Sequence, residues 1–125
     1  MARYWEWDAP FTIYPEETAL LIIDMQTGFT QPDGPLFTPQ SSEQLPTVAA
    51  LKKFCNEKGI PVFLSIFAQD VDFHNDHYWF RNKQRGLLTE DGDCKFKPGS
   101  PECQIDPALA PVEGDTVFLK YTYSC

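Results

Sequence analysis

Two continuous apolar runs on either side of a helical repeat constrain this chain more than any other feature. Ala19-Leu20-Leu21-Ile22-Ile23 and Ile60-Pro61-Val62-Phe63-Leu64-Ser65-Ile66-Phe67 have strand composition, and the proline of the second run falls at its start, where it is tolerated. Between them Leu45, Val48, Leu51, Phe54 and Cys55 recur at helical spacing. Pro46 suits a first helical position and Gly59 the residue just past the end. Strand, helix and strand in that order make a βαβ unit, with parallel strands joined by a right-handed crossover. Runs without polar alternation belong to strands buried on both faces, which is the expectation for the first strand, Ala19 to Asp24. A third run, Thr116 to Lys120, follows the turn Glu113-Gly114-Asp115. The fold class is therefore α/β.

Size and charge narrow the function classes. The 125 residues fit one domain. A hydrophobic content of 42%, with 14% aromatic residues, argues for a packed core over disorder. Ten basic residues against eighteen acidic ones leave a net charge of −8. Nucleic acid and anionic membrane surfaces both demand a basic face, so neither is expected as partner, whereas a small-molecule substrate is compatible with this balance. The residues from Met1 to Asp8 contain no apolar signal core, and no run reaches membrane-spanning length. Cys55, Cys94, Cys103 and Cys125 form no C-x-x-C pair, and a set of reduced thiols is expected. Together these point to a cytoplasmic protein.

Residues 1–18 form an aromatic arm punctuated by Pro10 and Pro15, with Trp5, Trp7, Phe11 and Tyr14 available to pack on the domain or on a neighbouring subunit. Residues 19–125 are the domain itself. Thr27 to Gln40 is rich in glycine and proline and is expected as a long loop with a functional role. Residues 69–115 are polar and irregular, with a short helix expected around Tyr78 to Leu87. Three strands leave an apolar edge and face uncovered, so the sheet reads as truncated after its third strand.

Charge punctuates the sheet. Asp24 ends the first strand and Lys120 the third. Open α/β sheets bind ligands at the carboxyl rim of their strands, so an acid and an amine at the ends of adjacent strands are expected within about 5 Å of each other, around one pocket.

The run from Ala19 through Asp24-Met25-Gln26-Thr27-Gly28-Phe29 resembles the first strand and active-site loop of the isochorismatase-like cysteine hydrolases. That family includes nicotinamidases, N-carbamoylsarcosine amidohydrolase, biuret hydrolases and the isochorismatases. Further matches follow in family order: Gly59-Ile60-Pro61-Val62, then Pro98-Gly99-Ser100-Pro101 with Ile105-Asp106-Pro107-Ala108-Leu109-Ala110-Pro111, then Gly114-Asp115 and Lys120-Tyr121-Thr122-Tyr123-Ser124. The resemblance implies a three-layer αβα sandwich around a mostly parallel sheet, of which this chain carries the N-terminal part. It implies homo-oligomers and no cofactor. It also implies hydrolysis of a small amide, carbamoyl or ureido C–N bond, with Asp24 and Lys120 as catalytic residues. Gln26 and Phe29 are candidates to line the pocket, Phe29 being equally suited to the core, and the loop that holds Trp79 is a candidate to border the substrate. A thiol attacks as thiolate; Asp24 would take its proton and Lys120 would hold both anions together.

The resemblance places the nucleophilic cysteine after a fourth strand, outside this chain. Cys55 reads as core, Cys94 and Cys103 as loop thiols, and Cys125 as a loop residue beyond the lysine strand. Metal-using nicotinamidases carry an Asp-x-His and a later histidine. Here Asp72 takes the first histidine's place, and Asp70, His74 and His77 read as solvated loop polars. No metal is therefore expected. Two alternatives stay open: an isochorismatase-type vinyl-ether hydrolase without the cysteine, and a short non-catalytic binding subunit.

Overall fold

Strands β1 (Leu20–Ile23), β2 (Val62–Phe67) and β3 (Thr116–Lys120) form one parallel sheet in the order β1-β2-β3 in the computed structural model, which describes residues 13–69, 84, 86 and 94–122. The register pairs Leu20 with Val62 and Ile23 with Ser65, then Phe63 with Thr116 and Phe67 with Lys120. Because β2 lies in the middle, β1 and β3 are not neighbours. The expectation of adjacent strands for Asp24 and Lys120 is corrected accordingly.

Side chains alternate across a strand, so the register sorts the sheet into two faces. Ile22, Val62 and Leu64 pack with Ile60, Cys55 and Leu109 into one core cluster beneath the long helix. The other face carries Leu21 and Ile23, which are 46% and 50% exposed. Among the described residues no helix covers that side. The expectation that β1 is buried on both faces therefore fails for this chain: its apolar run matches a sheet covered twice, and only one cover is present among these residues.

The stretch from Thr27 onward is more ordered than its composition suggests. A short helix α1 (Thr27–Thr30) begins directly after Gln26, and α2 (Pro39–Lys58) starts seven residues ahead of Pro46. Pro39 takes the first helical turn and Pro46 lies inside the helix. An interior proline removes the bond to the carbonyl four residues back, here Ser42; Pro46 is exposed, so water can satisfy that carbonyl. Gly59 ends α2 in the left-handed region at φ 70°, and its N–H returns to the Cys55 and Asn56 carbonyls, as a glycine past a helix end should do.

The inward face of α2 also differs from the expected one. Leu45, Val48, Ala49 and Cys55 pack on the sheet, while Leu51 and Phe54 are 47% and 50% exposed. At about 100° per residue, position 52 falls between 45 and 48 on the inner face, and position 54 falls opposite it. Lys52 is therefore buried along with Cys55, and its ammonium meets the Asp115 carboxylate at 2.6 Å. Asn56 and the Val112 N–H donate to the same carboxylate at 2.7 and 2.9 Å. This network ties α2 to the turn that leads into β3.

Residues 94–115, expected as irregular, are tightly fastened without long elements. Two 3-10 turns, Pro101–Cys103 and Pro107–Leu109, flank an antiparallel bridge between Gln26 and Ile105. Phe96 is fully buried among Phe67, Ala68 and Cys103. Of the helix expected around Tyr78 to Leu87, Gln84, which is helical, and Gly86, in a turn, are described, and the rest lies outside the described residues, as does most of the aromatic arm; the described part of the arm, 13–18, holds a 3-10 turn at Pro15–Glu17.

Candidate active site

Asp24 is the first residue past β1, and its backbone turns there. Its φ of 55° is left-handed, which is uncommon for a residue other than glycine and best tolerated by Asp, Asn and His. The Gln26 N–H closes back on the Asp24 carbonyl at 2.8 Å. Strain of this sort at a strand's carboxyl end is a recurrent mark of working sites.

The turn delivers the Asp24 carboxylate to Lys120. The Lys120 ammonium lies 2.8 Å from Oδ2 of Asp24, although β2 separates their strands. The reach of the lysine stem closes a gap of two strand spacings, about 10 Å. Its side chain is 6% exposed against 26% for Asp24, so the pair is shielded from below and open on the acid's side. Lys120 also donates to the Thr122 carbonyl at 3.0 Å and sits 5.4 Å from the centre of the Phe67 ring. A cation facing an aromatic ring in a partly desolvated site gains from the ring quadrupole. The other Asp24 oxygen, Oδ1, accepts from the Ser65 hydroxyl at 2.8 Å.

Gln26 is fully buried and spends its side-chain amide on backbone: Oε1 accepts from the Phe67 N–H at 2.7 Å and Nε2 donates to the Phe67 carbonyl at 2.9 Å. In this structure it joins β1 to the end of β2, beyond the regular ladder, and presents no exposed surface to a substrate. Phe29 is half-buried on α1, with its ring 4.8 Å from that of Phe96. It belongs to the apolar cluster under the rim. Trp79, Asp70, Asp72, His74 and His77 lie outside the described residues. Among the described residues no group of three His, Cys, Asp or Glu side chains is placed to hold a metal ion, and no helix is long and apolar enough to cross a membrane.

Three cysteines are described and all are buried. Cys55 lies in the core beneath α2. Burial pushes the Cys103 thiol above its ordinary value, with the neighbouring Glu102 charge adding to the effect and a hydrogen bond with Ser100 opposing it. A thiol so placed is a poor nucleophile at neutral pH. Cys125 lies outside the described residues.

Residues that sequence reasoning passed over complete the rim. Asp106 is 2% exposed and receives the Thr30 hydroxyl and the Gln31 amide at 2.6 Å each on Oδ2, and the Ala108 N–H at 2.9 Å on Oδ1. Burial alone would raise its carboxyl, but these donors outweigh it and hold the group below its usual range. Asp106 thereby fixes α1, the helix that starts beside the Asp24 turn. The Ile105-Asp106-Pro107 stretch was visible in the sequence only as a family match; the acid's partners are long-range and leave no local pattern. A cleft of about 720 Å³ opens on the α1 side, lined in part by Thr27, Gly28, Gln31, Lys95 and Glu102. Neither Asp24 nor Lys120 lines it.

Comparison with known proteins bears on the family and the fold. Residues 18–125 match the Isochorismatase domain. A probable isochorismatase of Pseudomonas chlororaphis is 28% identical over 116 residues, covering 93% of this chain and 50% of the relative. An N-carbamoylsarcosine amidase of an Arthrobacter species is 26% identical over 115 residues, covering 86% and 39%. Among solved structures, a cysteine hydrolase of Pseudomonas syringae superposes with a TM-score of 0.74 at 20% identity, covering 91% of this chain and 51% of that one. The N-carbamoylsarcosine amidase of Thermoplasma acidophilum gives 0.64 at 23% identity, covering 85% and 53%. The chain spans about half the length of the curated relatives it matches, or less. With its parallel α/β sheet and a match running from residue 18 to residue 125, the chain belongs to the isochorismatase family.

Proposed function

We propose that this chain carries the acid and lysine half of a hydrolase that cleaves the C–N bond of a small amide, carbamoyl or ureido compound. The observation that supports the reading most directly is the 2.8 Å contact between Lys120 and Asp24 at the carboxyl rim. Asp24 acts as general base toward a cysteine thiol that lies outside this chain. The thiolate adds to the substrate carbonyl and a tetrahedral intermediate forms. Asp24 then passes the proton to the departing nitrogen, and ammonia or an amine leaves. Water, deprotonated by the same carboxylate, adds to the thioester and releases the acid and the thiol. Lys120 stays charged throughout and stabilises thiolate and carboxylate together.

The charge arrangement favours this role over a structural one. A surface ion pair contributes little, and a lysine needs a reason to be 6% exposed at a sheet rim. A pair buried on one side and open on the other fits proton exchange with a bound group. The N-carbamoylsarcosine amidase relatives support the amide reading, and the probable isochorismatase supports a second one, vinyl-ether cleavage by the same acid and lysine.

The test uses the protein expressed from its complete reading frame. Ammonia release is followed over a panel of carbamoyl, ureido and nicotinamide-like substrates. Asp24→Asn should lower kcat at least about a hundredfold, the scale of losing a general base. Asn tolerates the left-handed backbone as Asp does, so the fold should remain. Full activity of Asp24→Asn on the substrate turned over refutes the mechanism. Cysteine after the fourth strand supports amide hydrolysis, whereas Gly or Ala there moves the assignment to the ether.

A further inference from the structure

Strand alternation alone would put the Asp24 carboxylate on the wrong side of the sheet. Leu20 and Ile22 face α2, and a further step of two residues would send Asp24 the same way. Lys120 is registered with Phe67, which shares a face with Ser65 and not with Leu64. The left-handed φ of Asp24 is what carries the acid across. A conformation that unfavourable persists only where neighbours over-determine it.

Ser65 is that neighbour. It pairs with Ile23, the last paired residue of β1, so the Asp24 N–H falls beyond the ladder. The Ser65 hydroxyl accepts that N–H at 3.2 Å and donates its own proton to Oδ1 of Asp24 at 2.8 Å. One side chain, 1% exposed, thus holds both the turned backbone and the carboxylate.

We propose that Ser65 is a positioning residue for the Asp24 base. The last torsion of an aspartate is broad and two-fold, so a carboxylate held only by Lys120 can swing. Anchoring Oδ1 on Ser65 and Oδ2 on Lys120 fixes its plane, and each oxygen keeps a lone pair for the travelling proton. Buried beneath the acid, Ser65 acts on substrate only through Asp24. Its removal should therefore appear in kcat and spare KM.

The inference rests on Asp24 being the base, so two readouts keep the claims apart. In the protein from the complete reading frame, Ser65→Ala should lower kcat about ten- to a hundredfold with KM within about twofold, the scale of one hydrogen bond to a charged group. Ser65→Thr retains the hydroxyl and should recover most of the loss. In the same protein labelled with ¹⁵N-lysine, proton exchange of the Lys120 ammonium should quicken in Ser65→Ala and stay slow in Ser65→Thr. Should Ser65→Ala fail to fold, Ser65→Val against Ser65→Thr isolates the hydroxyl at constant shape. If nothing is hydrolysed, the assignment of Asp24 fails and the exchange rates alone decide the positioning claim. Unchanged exchange overturns the proposal. So does an unchanged kcat in an active enzyme, or a threonine variant as impaired as the alanine one.

Discussion

Lys52→Met is the most informative perturbation of the fold. It deletes an ammonium from beside a carboxylate whose side chain has no exposed surface, while a methionine stem preserves the packing of α2. Removing one partner of a buried ion pair costs about 3–5 kcal/mol, because the remaining charge is stranded. Here Asp115 keeps two donors, Asn56 and the Val112 N–H. The loss should therefore fall at the lower end, about 3 kcal/mol. For a chain of this size that lowers Tm by about 10 °C. Urea unfolding, followed by far-ultraviolet circular dichroism and by tryptophan fluorescence, measures it if the two transitions coincide. The double variant with Asp115→Asn removes the stranded charge, and its one amide oxygen still accepts from either Asn56 or the Val112 N–H, which reach different carboxylate oxygens. It should be less destabilised than the sum of the single changes, with a coupling of about 1.5 kcal/mol or more. A cost below about 0.5 kcal/mol for Lys52→Met, or strictly additive effects, would show that water reaches the pair and would refute the reasoning.

Acid should weaken the fold in a defined window. Asp106 and Asp115 are both held below their ordinary values: burial opposes this, but hydrogen bonds led by Thr30 and Lys52 respectively overcome it. Groups with depressed folded values stabilise the fold fully above the unfolded value, about 4, and lose that contribution as pH falls through the folded value. The urea midpoint should fall steeply below about pH 4, and less so in Asp106→Asn; a midpoint still flat at pH 3 would contradict this. Gly34→Ala should destabilise by about 1–3 kcal/mol, since an added Cβ would stand 2.5 Å from the Gly28 carbonyl oxygen and 2.7 Å from that of Thr27; a Tm unchanged in calorimetry would count against this close approach. Phe96→Ala, emptying a fully buried site beside Phe29 and Phe67, should cost about 3–5 kcal/mol in the same urea assay.

The elements that the sequence disclosed are those whose signals are local. Three apolar runs announced three parallel strands, Thr116–Lys120 to the residue, because a strand's apolar and β-branched composition is carried by its own residues. Asp24 and Lys120 stood out because each interrupts an apolar run at its carboxyl end. Helix α2 was visible but misplaced. A proline normally marks a helix start, and Pro46 outweighed Pro39; the inner face was drawn toward the apolar Leu51 and Phe54, which lie about 100° and about 160° around the helix from Lys52.

What remained belongs to contacts between distant residues. Nothing near Lys52 in sequence reveals an acid at position 115, and nothing near Asp106 reveals Thr30 and Gln31. Gln26 read as a pocket residue from its place in the Asp24-Met25-Gln26 signature; only the structure spends its amide on the Phe67 backbone. The sequence by itself determined the strand-helix-strand order and set one acid and one amine at strand ends, since both follow from each segment's own hydrophobicity. The strand order was decided in three dimensions. It put β2 between the two charges, left-handed backbone at Asp24 turned the acid across it, and Ser65 received the acid there, because a hydrogen bond depends on distance in space and leaves no period in the chain.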